Sequence, residues 1–159
     1  MIESNAKIKL LEMFSRATDG SLPELTVNFV DNEQRQKTVL FLVDRAKVNQ
    51  NITLWSEELQ REVECRGLSK QAFIKMLTTN HHIQLHKLFD LPEIGLGIFD
   101  GCLTLDFRTG KDWSKKSING LVELLSDLKN KFNATSITLD DDGLFFFDQE
   151  IEFFKEYFN

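Results

Sequence analysis

Hydrophobic and polar positions along this chain follow two rhythms, and the changes between them mark the elements. Over 5–17, Ile8, Leu11 and Phe14 recur at helical spacing with Leu10 and Ala17 beside them. That spacing predicts a helix, which Thr18-Asp19-Gly20-Ser21 stops. Leu25, Val27 and Phe29 then alternate with polar residues, the period of a half-buried strand. Asp31 to Gln36 reads as a polar turn, and TVLFLV (38–43), a short continuous apolar run, reads as a central strand. ITLW (52–55) gives a third short strand. LQREVECR (59–66) puts Leu59, Val63 and Cys65 on one strand face but leaves a helix only a thin apolar stripe, so the strand is preferred.

Ser69 suits the N-cap of a helix over 70–79 with Phe73, Met76 and Leu77 inward. In IGLGIFDGCLTLDFR (94–108), two alternating runs flank Asp100-Gly101, a dipeptide suited to a type I′ hairpin turn. From Asp112 onward, Ile118, Leu121, Val122, Leu125, Leu128 and Phe132 make a sustained helical stripe, which Asn133 can end in a left-handed conformation. SITL (136–139) is another strand, and Asp148 is placed to cap a last helix carrying Ile151, Phe154 and Phe158. The order is α-β-β-β-β-α-β-β-α-β-α. It predicts a single α+β domain over 1–159, a mainly antiparallel sheet with helices packed against it. The β-α-β stretch at 102–139 adds one parallel pair through a right-handed crossover.

Composition agrees with one globular domain: 159 residues, 42% hydrophobic and 28% charged. Only two prolines and eight glycines leave no linker-like segment, whereas fourteen phenylalanines are many. Cys65 and Cys102 form neither a disulfide framework nor a C-x-x-C pair, which fits a reducing compartment. The start, MIESNAKIKLLEMF, lacks the basic and apolar regions of a signal peptide, and no apolar run nears the ~20 residues that span a bilayer. A soluble, cytoplasmic protein is expected. Charge changes the picture more. Residues 140–159 hold seven acids against Lys155, which accounts for the whole net charge of −6. Such a surface is a poor match for nucleic acid, whose binding depends on clustered Lys and Arg, and a better one for a basic protein.

The candidate chemistry is thin. All three histidines fall in NHHIQLH (80–86), where His82 and His86 share a face whether the stretch is helical or extended. Zinc can use such a pair, but needs a third or fourth ligand, and no HExxH glutamate is present. Solvated side chains with one partly buried ring are the simpler reading. TLDDDGLFFFDQE (138–150) resembles a calcium loop, yet aligning Gly143 with the loop glycine puts Thr138 and Gln149 where carboxylates are needed. A turn built on Asp and Gly fits better. GLGIFDG is followed by a strand and not by a helix N-terminus, so its glycines relieve crowding and do not cradle phosphate. There is no G-x-S-x-G elbow, and a Cys–His pair would need Cys65 or Cys102 to meet the histidines in space. The reading is therefore non-enzymatic: no catalytic, metal or cofactor residue is assigned. What stands out is DDDGLFFFDQEIEFFKEYFN, where seven acids interleave with Phe and Tyr. Aromatic anchors inside a charged rim are the makings of an interface, although the simpler reading is that the Phe residues complete the core and the acids are solvated.

The strand-then-helix layout of GCLTLDFRTGKDWSKKSINGLVELLSDLKNKF and the acidic, aromatic end resemble, over the whole chain, the small bacterial immunity proteins that neutralise contact-dependent or other polymorphic toxins. The resemblance is of type, without a signature motif, so no functional residue carries over by position. It implies a cytoplasmic α+β protein that neutralises a cognate toxin domain by stoichiometric association, with no nucleic-acid or membrane partner. In that reading Asp140, Asp141, Asp142, Glu150 and Glu152 pair with a basic toxin domain, a nuclease being one candidate. Trp113, Phe146 and Tyr157 anchor it. Residues 5–132 also resemble the class I type III secretion chaperones in a helix, three-strand, helix, two-strand, helix order. The added strand and helix after 133 and the richness in Phe set this chain apart from them.

Overall fold

A computed structural model describes residues 2–77, 80–140 and 145–159. Its elements run α1 (Ile2–Phe14), β1 (Glu24–Phe29), α2 (Asn32–Arg45), β2 (Lys47–Val48), β3 (Thr53–Ser56), β4 (Arg61–Glu64) and α3 (Lys70–Met76). Then follow β5 (His81–His86), β6 (Ile94–Phe99), β7 (Cys102–Phe107), α4 (Lys115–Asn130), β8 (Ala134–Asp140) and α5 (Asp148–Phe158). This is a single α+β domain, as the patterning predicts. Six strands form one sheet in the order β2-β5-β6-β7-β1-β8, and β3 and β4 form a separate hairpin. Every pairing among the described residues is antiparallel.

The largest departure from the sequence reading is at 31–43. TVLFLV is helical, and so are the polar residues before it. The Asp31 side chain accepts a hydrogen bond from the Gln34 N–H at 2.9 Å and caps α2. Glu33 and Lys37 pair one turn apart at 3.0 Å. Val39, Leu42 and Val43 are buried, while Leu40 is 47% exposed. A strand would put Leu40 and Leu42 on one face; the helix separates them. A six-residue apolar run does not distinguish the two, and the polar stretch before it holds helix formers with no Gly or Pro. The added helix also breaks the element order behind the chaperone resemblance.

The crossover expectation fails for a topological reason. β7 and β8 each pair antiparallel with β1, which lies between them, so they run parallel without touching. The β6–β7 turn is two residues long, but Asp100 does not take the positive φ that a type I′ turn demands at both positions. Only Gly101 does, at 75°. In α1 the buried face is Ala6, Leu10, Met13 and Phe14, whereas Ile8 is 51% exposed. Ser69 caps α3 by accepting from the Ala72 N–H at 3.1 Å, and Asn133 sits at φ 54° after α4. Thr78 and Thr79, the predicted end of the α3 helix, lie outside the described residues.

Alternation divides the sheet cleanly. Leu25 and Val27, Ile83 and Leu85, Leu96 and Ile98, and Leu103 and Leu105 all enter the core shared with the helices. The opposite face carries Thr26, Gln84, Thr104 and Asp106, with Gly95 and Gly97 between β5 and β7. A Cβ at either glycine would collide with the Asp106 carboxylate or the Thr104 hydroxyl, so these glycines do relieve crowding.

Candidate partner-binding site

The end of the chain is built on α5, whose inner stripe, Phe154 and Phe158 with the flanking Ile151, packs into the core. Asn159 completes the docking. Its side chain donates to the Ile137 carbonyl at 2.8 Å and accepts from the Ile137 N–H at 3.0 Å. It thereby satisfies backbone groups on the outer edge of β8, as a neighbouring strand would.

The start of α5 is held from a distance. The Arg16 guanidinium, just past α1, grips Glu150 through both carboxylate oxygens at 3.0 and 2.6 Å and donates to the Phe145 carbonyl at 3.3 Å. Glu150 also accepts from the Phe147 N–H at 2.9 Å. Phe147 is therefore the N-cap residue, not Asp148, and Glu150 supplies the reaching-back half of a capping box. Burial by itself pushes the Glu150 carboxyl up. The Arg16 and Phe147 hydrogen bonds, with the Arg16 and Lys9 charges, outweigh it and hold the group below the usual glutamate range.

The residues expected to touch a partner divide sharply. Trp113 is 3% exposed: its ring meets Phe14 edge-on at 4.7 Å, and its Nε1–H donates to the Arg108 carbonyl at 2.8 Å. Phe146 is buried in the same aromatic cluster, 5.8 Å from Phe14. Neither presents a surface anchor, because the sheet-to-helix junction at this end needs large rings to fill it. Glu150 is spoken for by Arg16. Asp140 ends β8, and Asp141 and Asp142, with Gly143 and Leu144 of the calcium-like loop, lie outside the described residues. Glu152 is exposed and Tyr157 half-buried.

What the surface presents instead is Phe147, 65% exposed beside the Arg16 guanidinium, whose carbon lies 5.2 Å from its ring centre. Asp148, Glu152 and Glu156 follow on one outward stripe of α5, spaced four residues apart. Next to that stripe, Phe153 and Tyr157 stack at 6.1 Å, and Lys9 of α1 lies 4.3 Å from the Phe153 ring centre. The two helices leave a cleft of about 400 Å³ there, lined by Ala6, Lys9, Phe153, Glu156 and Tyr157. Burial, reinforced by the Glu3 charge, pushes the Tyr157 phenol up, so it stays a neutral hydrogen-bonding tip. Three consecutive Phe residues carry no local signal for which ring turns in; Phe146 is buried and Phe147 exposed. No local signal points to Arg16, 134 positions away from Glu150.

The histidines sit on a strand and separate. His82 and His86 are on one face, but their Cα atoms are about 13 Å apart at strand rise. Each meets a different carboxylate: His82 Nε2 lies 2.5 Å from Asp106 Oδ2, and His86 Nδ1 lies 3.7 Å from Glu93. Among the described residues no group of three His, Cys, Asp or Glu side chains is placed to hold a metal ion. Cys102 is two strands and two residues from His82, about 12 Å, and burial pushes its thiol up, as it does for Cys65.

Comparison with known protein families, curated proteins and solved structures finds no match for this chain. No helix among the described residues is long and apolar enough to cross a membrane.

Proposed function

We propose that this protein is a cytoplasmic immunity protein, which neutralises a cognate toxin domain by binding it one to one. The partner surface is the outer face of α5. The observation that carries the reading is the pairing of an exposed ring, Phe147, with the acid stripe Asp148, Glu152 and Glu156 and the half-buried aromatics Phe153 and Tyr157. An exposed phenylalanine loses apolar surface to water only if something covers it, and acids around it favour a partner rich in Lys and Arg. The rings supply contact area while the acids speed encounter and set orientation. Inhibition then comes from occlusion, with no chemistry on this chain.

Native co-purification from the source organism, with mass spectrometry of what stays bound, tests this reading. A basic toxin domain retained in one-to-one ratio supports it. A secreted effector held by its N-terminal segment, or no retained protein at all, overturns it.

A further inference from the structure

At the opposite edge of the sheet, the fold gathers positive charge in a chain whose net charge is −6. β2 pairs with β5 so that Lys47 stands opposite His86. Lys87, the next residue, takes a left-handed φ of 53°, which turns the chain sharply at the strand end. Arg66 arrives from the far side, fixed by the fully buried Cys65 before it, whose N–H donates to the Ile52 carbonyl at 3.0 Å. Between these segments lies a cleft of about 630 Å³. Among the described residues its lining includes four bases and the side-chain amides of Asn49, Gln50 and Asn51, and no acid. His86 has Glu93 nearby, but the side chains of Lys47, Arg66 and Lys87 make no hydrogen bond or ion pair with any described residue.

Six of the cations elsewhere, Lys7, Arg16, Lys37, Lys70, Lys116 and Lys131, each face a carboxylate within 4 Å; what sets this cleft apart is that its unpaired cations converge on one concave surface without an acid. Three unpaired cations around one cleft repel each other and gain from a shared counter-charge. We propose that this cleft binds a small polyvalent anion of the phosphate class. Arg66 grips two oxygens through its planar fork, Lys47 and Lys87 act as point charges, and the amides take the neutral part of the ligand. The volume exceeds that of one phosphate group, so a pyrophosphate or phosphate ester fits the charge and the space together.

The test uses the full chain, inorganic pyrophosphate as probe, and amide chemical shifts as readout. In about 150 mM salt, saturable shifts confined to residues around 47–51, 66–67 and 86–87, with a Kd below about 1 mM, are expected. The double variant Arg66→Gln/Lys87→Gly removes two cations while glycine keeps the left-handed backbone, and it should weaken binding by about tenfold or more. Lys111→Gln/Lys115→Gln, which removes the same charge elsewhere, should leave binding unchanged. Absence of saturable shifts overturns the proposal, as does equal weakening by both double variants. Shifts that sulfate reproduces at equal concentration reduce the site to divalent-anion binding and overturn its phosphate-class assignment. A short single-stranded DNA that shifts these residues while pyrophosphate does not would replace it with a nucleic-acid site.

Discussion

Arg16 and Glu150, 134 positions apart, meet through two hydrogen bonds at 3.0 and 2.6 Å, and that contact sets which aromatic ring the end of the chain shows to solvent. The same guanidinium binds the Phe145 carbonyl, so the segment entering α5 is held with Phe146 inward and Phe147 outward.

Breaking this pair should therefore loosen α5. Arg16→Met leaves the Glu150 carboxylate partly buried without its cation and is expected to destabilise the protein by about 2 kcal/mol in denaturant melts at pH 7. The sign of the pH effect follows from a carboxyl held below its usual range. Its stabilisation is complete above about pH 4.3, the unfolded-chain value, and is lost as pH falls through the lower folded pKa. The gap between wild type and Arg16→Met should narrow at pH 3. An equal gap at both pH values would mean the pair carries no linked stability.

The helical assignment of 38–43 has its own test in two leucines. Leu42 is fully buried and Leu40 is 47% exposed. Leu42→Ala should cost about 2–5 kcal/mol, and Leu40→Ala should stay within about 0.5 kcal/mol. Equal large losses would restore the strand, which places both on one face. Asp31→Ala should cost a further ~1 kcal/mol through the lost cap.

Gly120 gives a prediction whose sign opposes local propensity. It lies within α4, where alanine is better than glycine by about 1 kcal/mol. A Cβ there would run into the Phe89 carbonyl, in a segment where Phe89 and Asp90 are both left-handed. Gly120→Ala should therefore destabilise by about 1–3 kcal/mol in thermal or denaturant melts. Stabilisation would show that α4 can move away from that loop.

The α4 stripe, the β6–β7 hairpin, the caps at Ser69 and Asn133, and the α+β class were legible because each rests on a local period or a single turn residue. Segment 31–43 was not, since a six-residue apolar run satisfies both periods and the deciding cap, Asp31, also suits a turn. The placement of β1 between β7 and β8 is a long-range choice that no local pattern encodes. At the candidate site, the acidic and aromatic character was visible. Which rings face out was not, because it depends on Arg16 and on how many rings the Phe14, Phe107 and Trp113 cluster absorbs.

The most direct test of the partner surface compares two baits in one native co-purification: the wild-type chain and the variant Asp148→Asn/Glu152→Gln/Glu156→Gln. All three positions are exposed, so the variant should fold like the wild type. The wild type should retain a basic toxin domain in one-to-one ratio, and the variant at most about a tenth as much. Equal retention by both baits, or retention by neither, would contradict the proposed partner surface.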